Sequence, residues 1–124
     1  MCIRVRNIRD WLYGEDHCEA IKTVLVNGSI GETYNISGNN EKTNIEIAVT
    51  VCSTLDEIKP RKDNSSYKEL IEFVEDRPGH DFRYSLDISK IKKELNWQPQ
   101  ETFETGIRKT VKWYLENKEW FERV

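Results

Sequence analysis

The chain has 124 residues, of which 37% are hydrophobic and 33% charged, and its formal net charge is −3. This length allows one domain at most, or a piece of a larger one. Charges of both signs are interspersed without a long basic block, which argues against nucleic acid as a partner. No run of about 18 apolar residues occurs, so no membrane partner is expected and the sequence predicts a soluble, cytoplasmic protein.

The sequence contains three cysteines, Cys2, Cys18 and Cys52, and no C-x-x-C motif. An odd count without paired spacing does not indicate a disulfide framework or a zinc site. Cys18 and Cys52 sit among apolar residues at helical spacing. We interpret them as buried, reduced thiols of a cytosolic protein.

The first part of the chain reads as the end of a larger unit. Residues 3–13 are predicted to be extended or loop, and no cap or turn opens a domain there. Apolar residues at helical spacing predict a helix over 15–26, which Gly28 ends. Residues 32–36 are rich in β-formers and bounded by glycines, which predicts a short strand.

Three further helices are predicted from their capping residues. Thr43 is followed three positions later by Glu46, which resembles a capping box and predicts a helix over 43–58. Asp87 can cap a short helix, and Thr102 can cap the last long one.

The remaining segments are irregular or short strands. Residues 60–66 are predicted to form a loop, and 72–74 and 83–86 are weaker strand candidates on either side of a turn at Pro78-Gly79. Helices and strands alternate, so the predicted fold class is α/β. Three strands and four helices are few for a free-standing layered α/β fold, which favours a fragment.

Motifs that carry catalytic chemistry are missing from this sequence. The six glycines never form G-x-G-x-x-G, the spacing that lets a backbone approach a pyrophosphate at a helix N-terminus. A P-loop, a zinc-ligand set and a nucleophile elbow are missing too. The histidines are His17 and His80, and His17 fits the first turn of a helix without a catalytic role. We predict no catalytic, cofactor-binding or metal-binding residue.

One pattern imitates a catalytic pair. Tyr114 and Lys118 have the Tyr-x-x-x-Lys spacing of short-chain dehydrogenases. The pattern stands at the end of an amphipathic helix, so we interpret Tyr114 as packing and Lys118 as a helix-end cation.

The turn over residues 76–81 is the best candidate binding segment. Its sequence is Asp76-Arg77-Pro78-Gly79-His80-Asp81. The planar fork of an arginine suits phosphate oxygens, so Arg77 on the rim of a cleft could clamp a diphosphate. The alternative is a surface turn with an Arg–Asp pair.

Two other positions enter as candidates. Arg9 lies near aromatic residues at the entry to the first helix, and Asn44 follows the predicted cap of the second. For Asn44 the residue pattern alone is equally consistent with simple helix initiation.

These segments together resemble a known superfamily. The run from 8 to 13 with Glu15-Asp16-His17 resembles the arginine-bearing segment of extended short-chain dehydrogenase/reductases that act on nucleotide sugars. Residues 31–36 resemble their late strand, and 95–106 their C-terminal signature. The turn at 76–81 resembles the version found in the dTDP-glucose 4,6-dehydratase family, and the resemblance extends over about residues 5–124.

The resemblance implies a set of binding residues. Arg9 would contact the diphosphate of a dTDP-sugar and Asn44 its nucleotide. The substrate-binding turn would be Asp76, Arg77, Pro78, Gly79 and His80, with Arg77 on the diphosphate and His80 near it. The partner would be dTDP-glucose or dTDP. The sequence departs from the family pattern at Gly14 and Ser37, which are not implied to touch substrate.

The resemblance also implies what this chain lacks. In the intact family, NAD oxidises C4 of glucose, water leaves across C5 and C6, and hydride returns to C6, as a step of deoxysugar biosynthesis. The residues for this chemistry match nothing in the chain. We therefore expect no NAD binding and no turnover by the chain alone, although intact members form homodimers and hold NAD.

The implied domain division is 1–40, the end of the Rossmann part with its last helix and strand, and 41–124, the C-terminal sugar-nucleotide-binding domain. Two alternatives stay open. The chain could be a stand-alone, non-enzymatic module that pairs with or regulates a full-length homologue. It could also be a fragment of a related nucleotide-sugar epimerase or decarboxylase.

Overall fold

The computed structural model describes residues 7–74 and 78–121 of the chain. Short strands alternate with helices in this part of the sequence. In chain order the elements are β1 (Ile8–Asp10), α1 (Gly14–Asn27), β2 (Glu41–Thr43), α2 (Asn44–Ile58), a 3-10 turn (Tyr67–Leu70), α3 (Ser89–Leu95), α4 (Phe103–Glu116) and α5 (Lys118–Phe121). The predicted α/β class is confirmed, and each of the four predicted helices is present.

A small sheet lies at the centre of the site described below. β1 pairs antiparallel with β2, in a register that sets Ile8 opposite Thr43 and Arg9 opposite Lys42. On its other edge, Ile8 N–H donates to Phe82 O at 2.8 Å and Ile8 O accepts from Tyr84 N–H at 3.1 Å. The segment around Arg83 therefore runs parallel to β1 through a single bridge, and the strand predicted over 83–86 is reduced to that contact.

The strand predicted over 32–36 is not formed. A strand needs a partner for its main-chain N–H and C=O groups, and the described residues form no ladder with this segment. Side chains attach the segment to α3 instead. Tyr34 donates its hydroxyl to Glu94 at 2.9 Å, and Asn35 Nδ2 donates to Asp87 O at 3.2 Å. The weaker strand over 72–74 is also absent.

The starts of α2 and α4 follow their capping residues. At α2, Thr43 Oγ1 accepts from Glu46 N–H at 3.3 Å while Glu46 Oε2 accepts from Thr43 N–H at 2.7 Å, so the predicted capping box is confirmed. α4 begins after Thr102 with the same reciprocal arrangement, in which Thr105 takes the place of glutamate. At α3 the prediction is wrong, because the cap position is Ile88, which makes no side-chain cap hydrogen bond; Asp87 lies one residue earlier and accepts from Ser89 N–H at 2.8 Å.

The core lies between α1 and α3. Ala20 and Ile91 are fully buried and Trp97 nearly so, with Leu12, Val24 and other half-buried residues packed around them. α2 packs on α4 beside this core. No helix in the described part of the chain has both the length and the apolar character to cross a membrane.

Apolar side chains at the end of α1 and in the turn after it are open to solvent. Leu25, Val26 and Ile30 are 83%, 71% and 105% exposed. Cys18, on the same helix, is exposed as well, so the prediction of a buried thiol is wrong there, because α1 packs through only one side. Cys52 is half-buried and its thiol donates to Tyr67 O at 3.4 Å, while Cys2 lies outside the described residues.

Candidate functional site

Arg9, at the centre of β1, is held by neutral groups. Its Nη1 donates to Ile8 O at 2.7 Å and its Nη2 to Asp81 O at 3.0 Å. The guanidinium carbon lies 4.7 Å from the centre of the Tyr84 ring, an attractive cation–π distance. Main-chain carbonyls and a ring face therefore fix the guanidinium in place without neutralising its charge.

The structure brings Arg9 and His80 together. Arg9 Nη2 lies 2.9 Å from Nε2 of His80, although the two residues are separated by 71 positions in sequence. The other ring nitrogen, Nδ1, lies 2.9 Å from Nδ2 of Asn7. Asn7 is fully buried. Sequence reasoning did not single out Asn7, because an isolated asparagine carries no pattern that predicts burial.

The turn before His80 has the backbone that its sequence predicts. Gly79 has φ of +70°, and no atom lies within 4 Å of where a Cβ would stand. The requirement for glycine is thus conformational rather than steric. Pro78 and Gly79 are exposed, whereas Asp76 and Arg77 lie outside the described residues.

Asn44 stands beside the same strand. It is the first residue of α2, and its N–H donates to Asn7 O at 3.1 Å. The capping box of α2 therefore places Asn44 one position past the end of the β1–β2 ladder, next to the residue that contacts His80. Of the seven predicted binding residues, Arg9, Asn44 and His80 gather around β1.

Arg83 differs from Arg9 in its electrostatic surroundings. It forms a two-pronged ion pair with Glu41, with distances of 2.9 Å from Nε and 2.5 Å from Nη2. The hydrogen bond from Arg83 lowers the pKa of Glu41, and the same pair raises the pKa of Arg83. In the described part of the chain Arg9 has no carboxylate partner, so its charge remains available to an anion.

Asp10 supports the strand from the opposite side. Its carboxylate accepts from Ser37 Oγ and, at 2.9 Å, from Asn40 N–H. Trp11 N–H donates to Asn40 O at 3.1 Å. The 37–40 turn is thus fixed against β1, a role for Asp10 that sequence reasoning missed, although its place beside Arg9 is a signal that could have drawn attention to it.

Two cavities flank this region. One of about 370 Å³ is lined by Arg9, His17, Tyr84 and neighbours, so the guanidinium borders a concave surface. A larger one of about 890 Å³ lies between the start of α1 and α4 and is lined mainly by apolar and aromatic side chains, including Trp11, Phe103 and Trp113. The larger cavity has none of the predicted binding residues in its lining, and we place the candidate site at the smaller one.

The residues present do not fit NAD in the dinucleotide-fold mode. At the junction of β1 and α1 the turn holds one glycine, Gly14, and at the junction of β2 and α2 the helix N-terminus is occupied by the Thr43–Glu46 box. Neither turn offers the open, glycine-lined N-terminus that a pyrophosphate needs. That the chain alone binds no NAD stays a prediction.

The Tyr114–Lys118 pattern does not form a pair on one helix. α4 ends at Glu116 and Lys118 opens α5, so the two side chains are not one continuous helical turn apart. Lys118 stands beside Lys59, and the close approach of the two ammonium groups lowers the pKa of Lys59. Tyr114 is 46% exposed, with its ring 5.2 Å from that of Trp113.

The chain is similar to curated and solved proteins of one kind. The family model described as "GDP-mannose 4,6 dehydratase" matches residues 3–110. The dTDP-glucose 4,6-dehydratase of Shigella flexneri is 60% identical over 94% of this chain and 32% of its own length. That of Neisseria meningitidis is 55% identical, over 94% of this chain and 34% of its own length.

Solved structures agree with this match. The dTDP-glucose 4,6-dehydratase of Bacillus anthracis, in complex with NAD, is 45% identical with a TM-score of 0.79 over 94% of this chain and 34% of that one. DesIV of Streptomyces venezuelae, with NAD and TYD bound, is 39% identical with a TM-score of 0.82 over the same shares. The chain spans about a third of the length of these relatives. It belongs to the GDP-mannose 4,6-dehydratase family, and within that family it resembles the dTDP-glucose 4,6-dehydratases.

Proposed function

We propose that this chain is the C-terminal dTDP-sugar-binding part of a dTDP-glucose 4,6-dehydratase of cytoplasmic deoxysugar biosynthesis. Arg9 contacts the diphosphate, Asn44 contacts the nucleotide, and the turn of Asp76, Arg77, Pro78, Gly79 and His80 binds the substrate, with Arg77 on the diphosphate and His80 near it. DesIV of Streptomyces venezuelae, a dTDP-glucose 4,6-dehydratase, was solved with NAD and TYD bound and, as a double mutant, with NAD and DAU bound, which supports a ligand of this class.

The observation that carries the proposal is the charge of Arg9, which no carboxylate of the described residues 7–74 and 78–121 compensates. Its guanidinium is anchored by carbonyls and an aromatic ring and borders a cavity of about 370 Å³. Hydrogen bonds between a guanidinium and phosphate oxygens are roughly twice as strong as neutral ones. A fixed, unpaired guanidinium on a concave surface also loses little side-chain entropy when an anion binds.

The chain alone is proposed to bind without turning over. Oxidation and reduction at the sugar require NAD, which supplies the hydride chemistry when it is bound, and the junctions described above do not fit it. Dimerisation, as in the intact family, is proposed to depend on the remainder of the protein.

Calorimetric titration with dTDP, with UDP as the competing nucleotide, tests the proposal. Arg9→Gln removes a charged hydrogen-bond donor, and a loss of about 1.5–3 kcal/mol corresponds to roughly 10- to 150-fold weaker binding. Arg83→Gln is the matched control, since it removes an arginine that is already paired with Glu41. Equal weakening by both variants, or no dTDP binding by the wild-type chain, would contradict the proposal.

A second candidate function is favoured by the apolar side chains at the end of α1 and in the turn after it. Leu25, Val26 and Ile30 are exposed, as expected of a module that packs against a full-length homologue. Circular dichroism melting discriminates the readings. A cooperative transition of the isolated chain supports a self-sufficient module, and its absence supports a dependent fragment. Preference for UDP over dTDP would instead indicate a piece of a related epimerase or decarboxylase.

A further inference from the structure

The contact between Asn7 and His80 poses a hydrogen-bonding conflict. Asn7 Nδ2, a donor, lies 2.9 Å from His80 Nδ1, and Arg9 Nη2, also a donor, lies 2.9 Å from His80 Nε2. A neutral imidazole has one N–H and one lone pair, and a doubly protonated one has no lone pair at all. Two donors therefore cannot both be satisfied by this ring.

Only one placement of the ring hydrogen of His80 resolves the conflict. A guanidinium only donates, so the ring nitrogen that faces Arg9 must carry the lone pair. Nε2 is then unprotonated and Nδ1 carries the hydrogen. The group facing Nδ1 must consequently accept, and in the amide of Asn7 only the oxygen can do so.

The surroundings of Asn7 point the same way. Its side chain is fully buried, and among the described residues its Oδ1 has no hydrogen-bond partner. A buried carbonyl oxygen without a partner costs about 1–3 kcal/mol. Rotation of the amide by a half turn exchanges Oδ1 and Nδ2, gives the oxygen a donor in Nδ1–H and removes the donor–donor contact with the ring, while Nδ2 takes the position without a described partner.

We propose that Asn7 is a positioning residue that accepts a hydrogen bond from Nδ1–H of His80, and so fixes the tautomer whose Nε2 lone pair holds Arg9. His80 then acts on the anion site through Arg9, and its Nε2 is not a donor to phosphate. The significance for binding rests on the proposed function, whereas the tautomer itself does not.

Long-range proton–nitrogen correlation spectra of the full chain test the tautomer directly, at a pH where both imidazoles are neutral. For His80 the expected pattern is a protonated Nδ1 and a lone-pair Nε2. His17, which is exposed, provides an internal reference, because a solvated imidazole favours the opposite tautomer. A protonated Nε2 in His80, or a mixture like that of His17, would overturn the proposal.

Two substitutions of Asn7 test whether its side chain accepts a hydrogen bond from His80 or donates one to it. An ionised Asp side chain can only accept a hydrogen bond, so if the native amide accepts from Nδ1–H, Asn7→Asp should leave the His80 tautomer unchanged. If the native amide instead donates to Nδ1, the same substitution should shift the ring hydrogen of His80 from Nε2 to Nδ1. Asn7→Leu should lower the population of the Nδ1–H tautomer, because Arg9 alone would then favour it. Asn64→Asp makes the same chemical change at an exposed position and should leave the spectrum of His80 unaltered.

Titration with dTDP separates this inference from the proposed function. Asn7→Leu should weaken dTDP binding roughly fivefold, the effect of about one net hydrogen bond. If the wild-type tautomer is Nδ1–H but dTDP does not bind, the proposed function fails and the inference stands. If dTDP binds while Nε2 is protonated, the inference fails and the function stands.

Discussion

Gly38 is the position at which one methyl group should do most damage to the site. A Cβ there would collide with the carbonyl oxygen of Trp11, and would stand 2.8 Å from Trp11 C and 3.2 Å from Leu12 Cα. All three are backbone atoms, so no rotamer change relieves the overlap. The turn cannot simply withdraw either, because Asp10 holds it through Ser37 and through Asn40 N–H.

The cost follows from this geometry. Overpacking of a fitted interior costs about 1–3 kcal/mol, and an obstruction by the main chain of Trp11 and Leu12 places Gly38→Ala near the upper value. For a chain of this size, a loss of about 3 kcal/mol lowers the melting temperature by roughly 10 °C. The loss is a large fraction of the roughly 5–15 kcal/mol that stabilises a typical domain.

Thermal and urea unfolding followed by circular dichroism provide the assay. Gly14→Ala is the control, since Gly14 opens α1 and no atom lies within 4 Å of its added Cβ. Replacement of a helical glycine by alanine should leave stability unchanged or raise it by about 0.5–1 kcal/mol. If Gly38→Ala melted within about 2 °C of wild type, the tight approach of the turn to β1 would be refuted.

Three further outcomes are expected. Thr43→Ala should lower the urea-derived free energy of unfolding by about 1 kcal/mol through loss of the cap; an unchanged midpoint would contradict this. Hydrogen bonds from the Thr43 hydroxyl, and secondly from the Thr43 N–H, lower the pKa of Glu46. The ionised Glu46 side chain therefore stabilises the fold at pH values above the ordinary glutamate pKa, and this stabilisation is lost as the pH falls through the lowered pKa of the folded state. Glu46→Gln should therefore flatten the acid side of the stability–pH curve, and a curve parallel to wild type would argue against the bond. Cys18 is exposed, and burial raises the pKa of Cys52. Peptide mapping after brief alkylation should therefore find Cys18 modified before Cys52, and earlier labelling of Cys52 would contradict the difference in burial between the two thiols.

The helices could be predicted from the sequence because their determinants are local. Thr43 with Glu46 and Thr102 satisfy the N–H groups of their own first turns, and a local pattern of this kind is visible without the fold. A strand depends on a partner that sequence spacing does not reveal. Residues 32–36 have the composition of a strand, yet among the described residues no neighbouring strand pairs with them to form a ladder.

The site was predictable only in part, for a similar reason. The resemblance implied that Arg9 and His80 serve one diphosphate, and their 2.9 Å contact is consistent with that role. Neither periodicity nor spacing could show that Arg83, another arginine near the turn, is neutralised by Glu41. The difference between the two arginines lies in partners more than 40 positions away.

The three residues of β1 contact other parts of this chain, and these contacts position Arg9 for the proposed anion site. Side chains alternate along a strand, so Arg9 turns towards His80 while Asp10 secures the 37–40 turn. Both edges of β1 are paired, one with β2 and the other with the segment around Arg83, which bonds to the N–H and the C=O of Ile8. A slip of one residue would exchange these roles, since every side chain would change face. The contacts that set Arg9 are thus all internal to this chain, and the loss of turnover expected of the isolated chain need not entail a loss of anion binding.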